Sequence, residues 1–198
     1  MKHYLISDDS YFLLGAQAIL SNNYIAAETI NISRQPVRSL SRSLCRGDIV
    51  IIAVDDVCIR RKLIEAASSV SCRIVFMPAF CHVTAALREL PWVVPRQVDD
   101  QDFMQIIHQL SATPLFPWRM KDEHLMIMES FCRPELPAGI LFIKNMTTRN
   151  LSQRKRALLK KHGLSESNCH GTLLCRDILF LRKKYQDKQQ SPQAAYFI

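Results

Sequence analysis

Glycine is scarce in this chain, five among 198 residues, and none of the five belongs to a Gly-rich phosphate loop. With no nucleophile-plus-base pair either, that argues against an enzyme using Asp8 and Asp9 with Mg²⁺ in the manner of phosphatases built on an α/β sheet. Long apolar runs are missing too. The longest, such as Ile49 to Val54, fall far short of the roughly 20 residues that cross a bilayer. The opening "MKHYLISDDSYF" carries Asp8 and Asp9 where a signal peptide would have its apolar stretch, so secretion is not expected. The seven cysteines are odd in number and scattered, without a C-x-x-C pair or a histidine at finger spacing, and the six histidines are equally dispersed. Reduced thiols are expected, with no disulfide framework, metal site or cofactor. The expectation is a soluble cytoplasmic chain that is not an enzyme and has no membrane partner.

What is present is globular composition, 48% hydrophobic and 8% aromatic, enough for one large domain or two small ones. The formal net charge is +8, and it is not evenly spread. Residues 120 to 188 hold 14 Lys and Arg against 7 Asp and Glu, leaving 12 against 11 elsewhere. A basic last third points to a phosphate-rich partner.

The apolar pattern divides the chain. Strand-like runs at 4–7 ("YLIS"), 48–54 ("DIVIIAV"), 73–80 ("RIVFMPAF") and 92–94 ("WVV") alternate with helical stretches "YFLLGAQAILSN", "CIRRKLIEAASSV" and "QDFMQIIHQL". This alternation predicts a doubly wound α/β domain with a parallel sheet over residues 1–110. "SATPLFPW" at 111–118 reads as a linker because of Pro114 and Pro117. Beyond it, over 119–184, the periodic stretches "KDEHLMIMESF", "PAGILFIKNM", a basic segment and "CHGTLLCRDILFLRKKY" predict four helices. Residues 185–198 are expected to form a polar tail, with at most a strand at "AAYFI".

The basic segment, "MTTRNLSQRKRALLKKHGL" at 146–164, is the most informative stretch. Thr147 or Thr148 is an N-cap candidate and Gly163 a natural stop. On a helix, Leu151, Leu158 and His162 share one side, and Arg149, Gln153, Arg156 and Lys160 the other. No acid relieves the repulsion among these cations, as i,i+4 partners would on an ordinary solvated helix. A solvated surface remains the alternative for such a charge run; phosphates would supply the counter-charge.

With the helices before and after it, this segment resembles the helix-turn-helix domain of LuxR-type (NarL/FixJ) bacterial transcription regulators. The family pattern I-S-x-x-T-V-x-x-H-x-x-x-I-x-x-K-L-G-[LV] falls on Met146, Thr147, Asn150, Leu151, Arg154, Leu158, Lys161, His162, Gly163 and Leu164, of which Lys161, Gly163 and Leu164 match outright. Ser152 with Lys155 is similar to the recognition helix of the Rcs-type capsule regulators of enteric bacteria. The chain departs from the pattern at His124, where the first helix usually has glutamate, and at Pro134 and Leu136 in the scaffold turn.

Many members of this family begin with a phosphoacceptor receiver. The resemblance implies an acidic pair after the first strand, matched by Asp8 and Asp9, and an aspartate at the end of the third, where Ala53 stands. Met77 or Pro78 replaces the hydroxyl residue after the fourth strand, and Pro95 the lysine after the fifth. Phosphotransfer needs a carboxylate nucleophile, a bound divalent cation and a nearby positive charge. Ala53 supplies no carboxylate, and Asp55 or Asp56 would serve only if the strand end shifted. Asp8 and Asp9 read better as loop carboxylates or a helix N-cap. The implied protein is a sequence-specific, phosphorylation-independent regulator with a pseudo-receiver for protein contacts. Its partners would be double-stranded DNA and either itself or a related LuxR-type regulator. Arg149, Gln153 and Arg156 would lie nearest base edges, and Ser152, Arg154, Lys155 and Lys160 on phosphates. The alternative is a protein that captures another regulator without touching DNA.

Overall fold

The computed structural model describes residues 1–34, 43–79, 89–115, 121–132, 146–164 and 168–190. The chain forms two compact units, Met1–Pro117 and Trp118–Ile198.

In the first unit five strands, β1 (His3–Ser7), β2 (Ala27–Asn31), β3 (Ile49–Ala53), β4 (Arg73–Phe76) and β5 (Trp92–Val93), form one sheet in the order β2-β1-β3-β4-β5. All four pairings are parallel. This is the 2-1-3-4-5 order of one common doubly wound sheet, in which ligand sites lie beyond the carboxyl ends of the strands. β3 is central and buried at every position of "IVIIA", which is why its sequence is a continuous apolar run without alternation. The edge strand β2 has only Ile30 buried, so "AETIN" carries little strand signal.

Among the described residues three helices follow strands: α1 (Ser10–Asn22), α2 (Val57–Val70) and α3 (Asp100–Ala112). Each starts on an aspartate whose carboxylate takes the free amides of the first turn. Asp9 accepts from the Tyr11 and Phe12 amides, Asp56 from Ile59, and Asp99 from Asp102. Helix α1 buries Leu13, Ala16 and Leu20; α2 buries Leu63, Ile64 and Ala67; α3 buries Phe103, Ile106, Ile107 and Leu110 among others. The other end of the sheet is tied by polar contacts. Buried Asp48 accepts from the Lys2 and Cys45 amides, both at 2.8 Å. The Arg73 guanidinium donates to the Gly47 carbonyl at 2.7 Å and to that of Thr113 at 3.0 Å. Residues 111 and 112, expected in a linker, therefore complete α3, and Thr113 is held to the end of the sheet. Residues 116–118 of that stretch lie outside the described residues.

The second unit contains α4 (Asp122–Cys132), α5 (Thr148–Lys161) and α6 (Cys169–Gln190). The expected helix at 137–146 falls outside the described residues apart from Met146. Each helix packs against the other two, α4 and α6 most extensively. Helix α6 runs on to Gln190, past the start of the expected tail. Tyr185 is buried, and Lys183 bridges Asp187 on its own helix and Asp122 on α4 at 3.2 and 2.8 Å, so packing and ion pairs continue past the start of that tail. The strand considered at "AAYFI" lies outside the described residues. None of the described helices is long and apolar enough to cross a membrane.

Candidate nucleic-acid interface

Helix α5 begins at Thr147, whose hydroxyl accepts from the Asn150 amide at 3.2 Å. It ends in a Schellman turn. Gly163, at φ +72°, donates its amide to the Lys160 carbonyl at 3.1 Å, and Leu164 donates to Leu159 at 2.9 Å. The left-handed backbone at Gly163 favours the residue without a Cβ, and the chain then turns inward so that Leu164 is buried. Leu151, Leu158, Leu159 and His162 fasten the helix to its neighbours.

Opposite that anchor, Arg149, Gln153, Arg156 and Lys160 are all exposed and share an arc of about 60° at helical spacing. Ser152 is exposed beside them. Arg154 forms an ion pair with Glu123 of α4 while remaining half-exposed. Lys155 is partly covered, its ammonium 4.6 Å from the centre of the Phe131 ring. These two cations brace α5 against α4, a contribution of about 1 kcal/mol or less for each contact. Nothing in linear spacing shows which side of α4 meets α5, so the sequence gives no sign that Glu123 and Phe131 face these cations. The other exposed cations of the arc gain no acid from their own helix. Such an arc can bond phosphate oxygens, and Arg or Gln can read base edges.

His162 behaves differently. Burial, reinforced by the positive charges of Arg182 and Lys161 and by His124, pushes its imidazole down to about 3. It is a neutral core residue at physiological pH, and its Nε2 has no hydrogen-bond partner. The thiol of Cys175, also buried, is pushed up to about 12, which makes it inert packing.

In the first unit the carboxyl ends of the strands hold the other candidate site. Ala53 is the last residue of β3 and fully buried, and its carbonyl accepts from the Ser7 hydroxyl at 2.8 Å. Asp9 is engaged as the α1 cap and Asp56 as the α2 cap. Asp55 is held by Arg96, 3.1 Å away, and by the Ala79 amide at 3.1 Å. Arg96 also donates to the Met77 carbonyl at 3.1 Å and lies 5.9 Å from the Phe12 ring centre. From α2, buried Arg60 reaches the carbonyls of Val54 and Asp55 at 3.4 and 3.3 Å. Two arginines thus close the end of β3, and the Asp55–Arg96 pair joins the turns after β3, β4 and β5. Arg96 carries no family signal in the sequence, because the resembled pattern's lysine falls on Pro95, one residue earlier. Among the described residues no group of three His, Cys, Asp or Glu is arranged to hold a metal ion. A carboxylate already paired with arginine and a backbone amide is a poor nucleophile toward a phosphoryl group. Incubation with small phosphodonors and Mg²⁺ should therefore leave the intact mass unchanged; acid-labile phosphate on Asp55 or Asp56 would show that this end of the sheet is chemically competent.

Comparison with known proteins finds no family model, no curated protein and no solved structure that matches the chain.

Proposed function

We propose that this chain is a LuxR-type, sequence-specific DNA-binding transcription regulator that works without phosphorylation. The observation that carries this reading is the arc of Arg149, Gln153, Arg156 and Lys160 on α5, exposed and without an acid on its own helix. Like-charged neighbours at three and four residues cost helix stability in isolation; a phosphate backbone turns the same arrangement into a gain. Charge distribution adds support. The unit Met1–Pro117 contains 11 Lys and Arg and 11 Asp and Glu, so the net +8 resides in the second unit. The first unit then serves protein contacts, bringing a second DNA-binding unit from another copy or a related regulator, because one such domain covers too little DNA for a selective site.

The direct test is a titration of the full chain on duplex DNA at several salt concentrations. With three or four phosphates neutralised by each of two DNA-binding units, the log–log slope should be about −5 to −7, a loss of roughly a thousandfold or more between 50 and 200 mM salt. Failure to bind duplex DNA at low salt, with capture of a related regulator instead, would establish the partner-only alternative.

A further inference from the structure

We propose that Glu123 of α4 is an acidic brake on the DNA-binding face: it holds Arg154 in an ion pair and so withholds one phosphate contact from each DNA-binding unit. The inference deepens the reading of α5 as a nucleic-acid interface and rests on that reading.

Helix α5 carries six cations and no acid in its 14 residues. Any acid that touches it must come from another helix. Arg154 lies roughly 130° around α5 from the middle of the arc formed by Arg149, Gln153, Arg156 and Lys160, on a flank that meets the phosphate wall when a helix lies in the major groove. Helix α4 brings Glu123 to that flank. The two side chains form an ion pair in which Arg154 is 52% and Glu123 26% exposed, whereas Asp122, the acid before it, faces Lys183 of α6. Cations crowd this corner. Burial, with the positive charges of Lys161, Lys121 and Arg154, holds the neighbouring His124 imidazole below its ordinary value, and Glu123 is the one charge acting on it in the opposite sense.

As a pair, Glu123 and Arg154 add no net charge to the face. For Arg154 to reach a phosphate it must leave Glu123, and the carboxylate left behind then faces the same polyanion, so the attraction gained is opposed by a like charge. Neutralising Glu123 changes this. Glutamine keeps the length of the side chain and a hydrogen-bond acceptor but not the charge, and the Arg154 guanidinium becomes a full counter-ion for phosphate. A repulsive element of this kind holds down non-specific binding, which is almost entirely phosphate contact, and leaves the base-reading arc as it is.

Anisotropy titrations of the full chain on a duplex of random sequence, over a range of salt concentrations, test this. At low salt Glu123→Gln should bind about fivefold to tenfold more tightly for each DNA-binding unit engaged, with a log–log slope steeper by about one per unit. Combining it with Arg154→Ala again leaves no net charge at the two positions and should restore the wild-type affinity and slope. Glu65→Gln, the same substitution in the Arg61–Glu65 pair of the first unit, should bind as wild type. Circular dichroism should be the same for every variant, because an exposed ion pair contributes little to folding. Wild-type affinity and slope in Glu123→Gln, a gain that persists without Arg154, or an equal gain in Glu65→Gln would each overturn the brake. The two readings fail separately. If wild type and Glu123→Gln both ignore duplex DNA at low salt, the regulator reading falls with the brake; if wild type binds and Glu123→Gln changes nothing, the brake alone falls.

Discussion

Lowering the pH from 7 to 5 should cost the second unit on the order of 2 kcal/mol of stability through His162 alone, and His162→Leu should remove most of that loss. The sign follows from burial. The folded protein holds this imidazole at about 3, against 6.5 for an ordinary histidine. Between those values the unfolded chain binds a proton that the folded chain refuses, so unfolding is favoured as pH falls. The loss begins near 6.5, grows by about 1.4 kcal/mol per pH unit and reaches on the order of 4 kcal/mol near pH 3.

Leucine is the discriminating replacement. Its side chain fills an apolar site without the unpartnered Nε2 and cannot titrate, and it is the residue that the resembled family pattern has at this place. Urea unfolding at pH 7 and pH 5, followed by circular dichroism, would compare the two proteins. Carboxylate titration is common to both and cancels in the difference. Equal acid sensitivity of wild type and His162→Leu would mean that the imidazole is solvated or finds a proton acceptor in the folded state.

The elements most readable in the sequence were those whose burial is uniform or periodic. Ile49 to Ala53 announces a central parallel strand because both of its faces are covered. Thr147 and Gly163 bracket α5 because each supplies the local chemistry that a helix end requires. β2 is silent in the sequence because an edge strand with one buried residue lacks either pattern. The sites divide the same way. The arc of Arg149, Gln153, Arg156 and Lys160 is a property of one helix and follows from spacing alone. The Asp55–Arg96 pair joins residues 41 apart, and Glu123 meets Arg154 across 31. Such pairs arise from tertiary packing, which leaves no local periodicity to read. The aspartates show the converse hazard: Asp8–Asp9 and Asp55–Asp56 look like catalytic acids in a row of letters, yet Asp9 and Asp56 are spent on helix caps.

Replacing both Arg149 and Arg156 by alanine should weaken specific DNA binding by about 2–6 kcal/mol, the sum of 1–3 for each lost base contact. Both side chains are exposed on α5 away from Leu151 and Leu158, so circular dichroism and unfolding should be nearly unchanged. Lys160→Ala should lower affinity for every sequence alike and reduce the salt slope by about one, because an ammonium on a phosphate carries no sequence information. Arg154→Ala provides an internal contrast. Its guanidinium already engages Glu123, so a share of its effect should fall on stability, by about 1 kcal/mol or less. The measurements are anisotropy titrations on a selected target duplex and on a scrambled one of equal length. If the arginine variants lose affinity equally on both duplexes, the arc grips the backbone only and sequence is read elsewhere. If they bind the target as tightly as wild type, α5 does not enter the groove by this face, and its cations serve as a solvated surface.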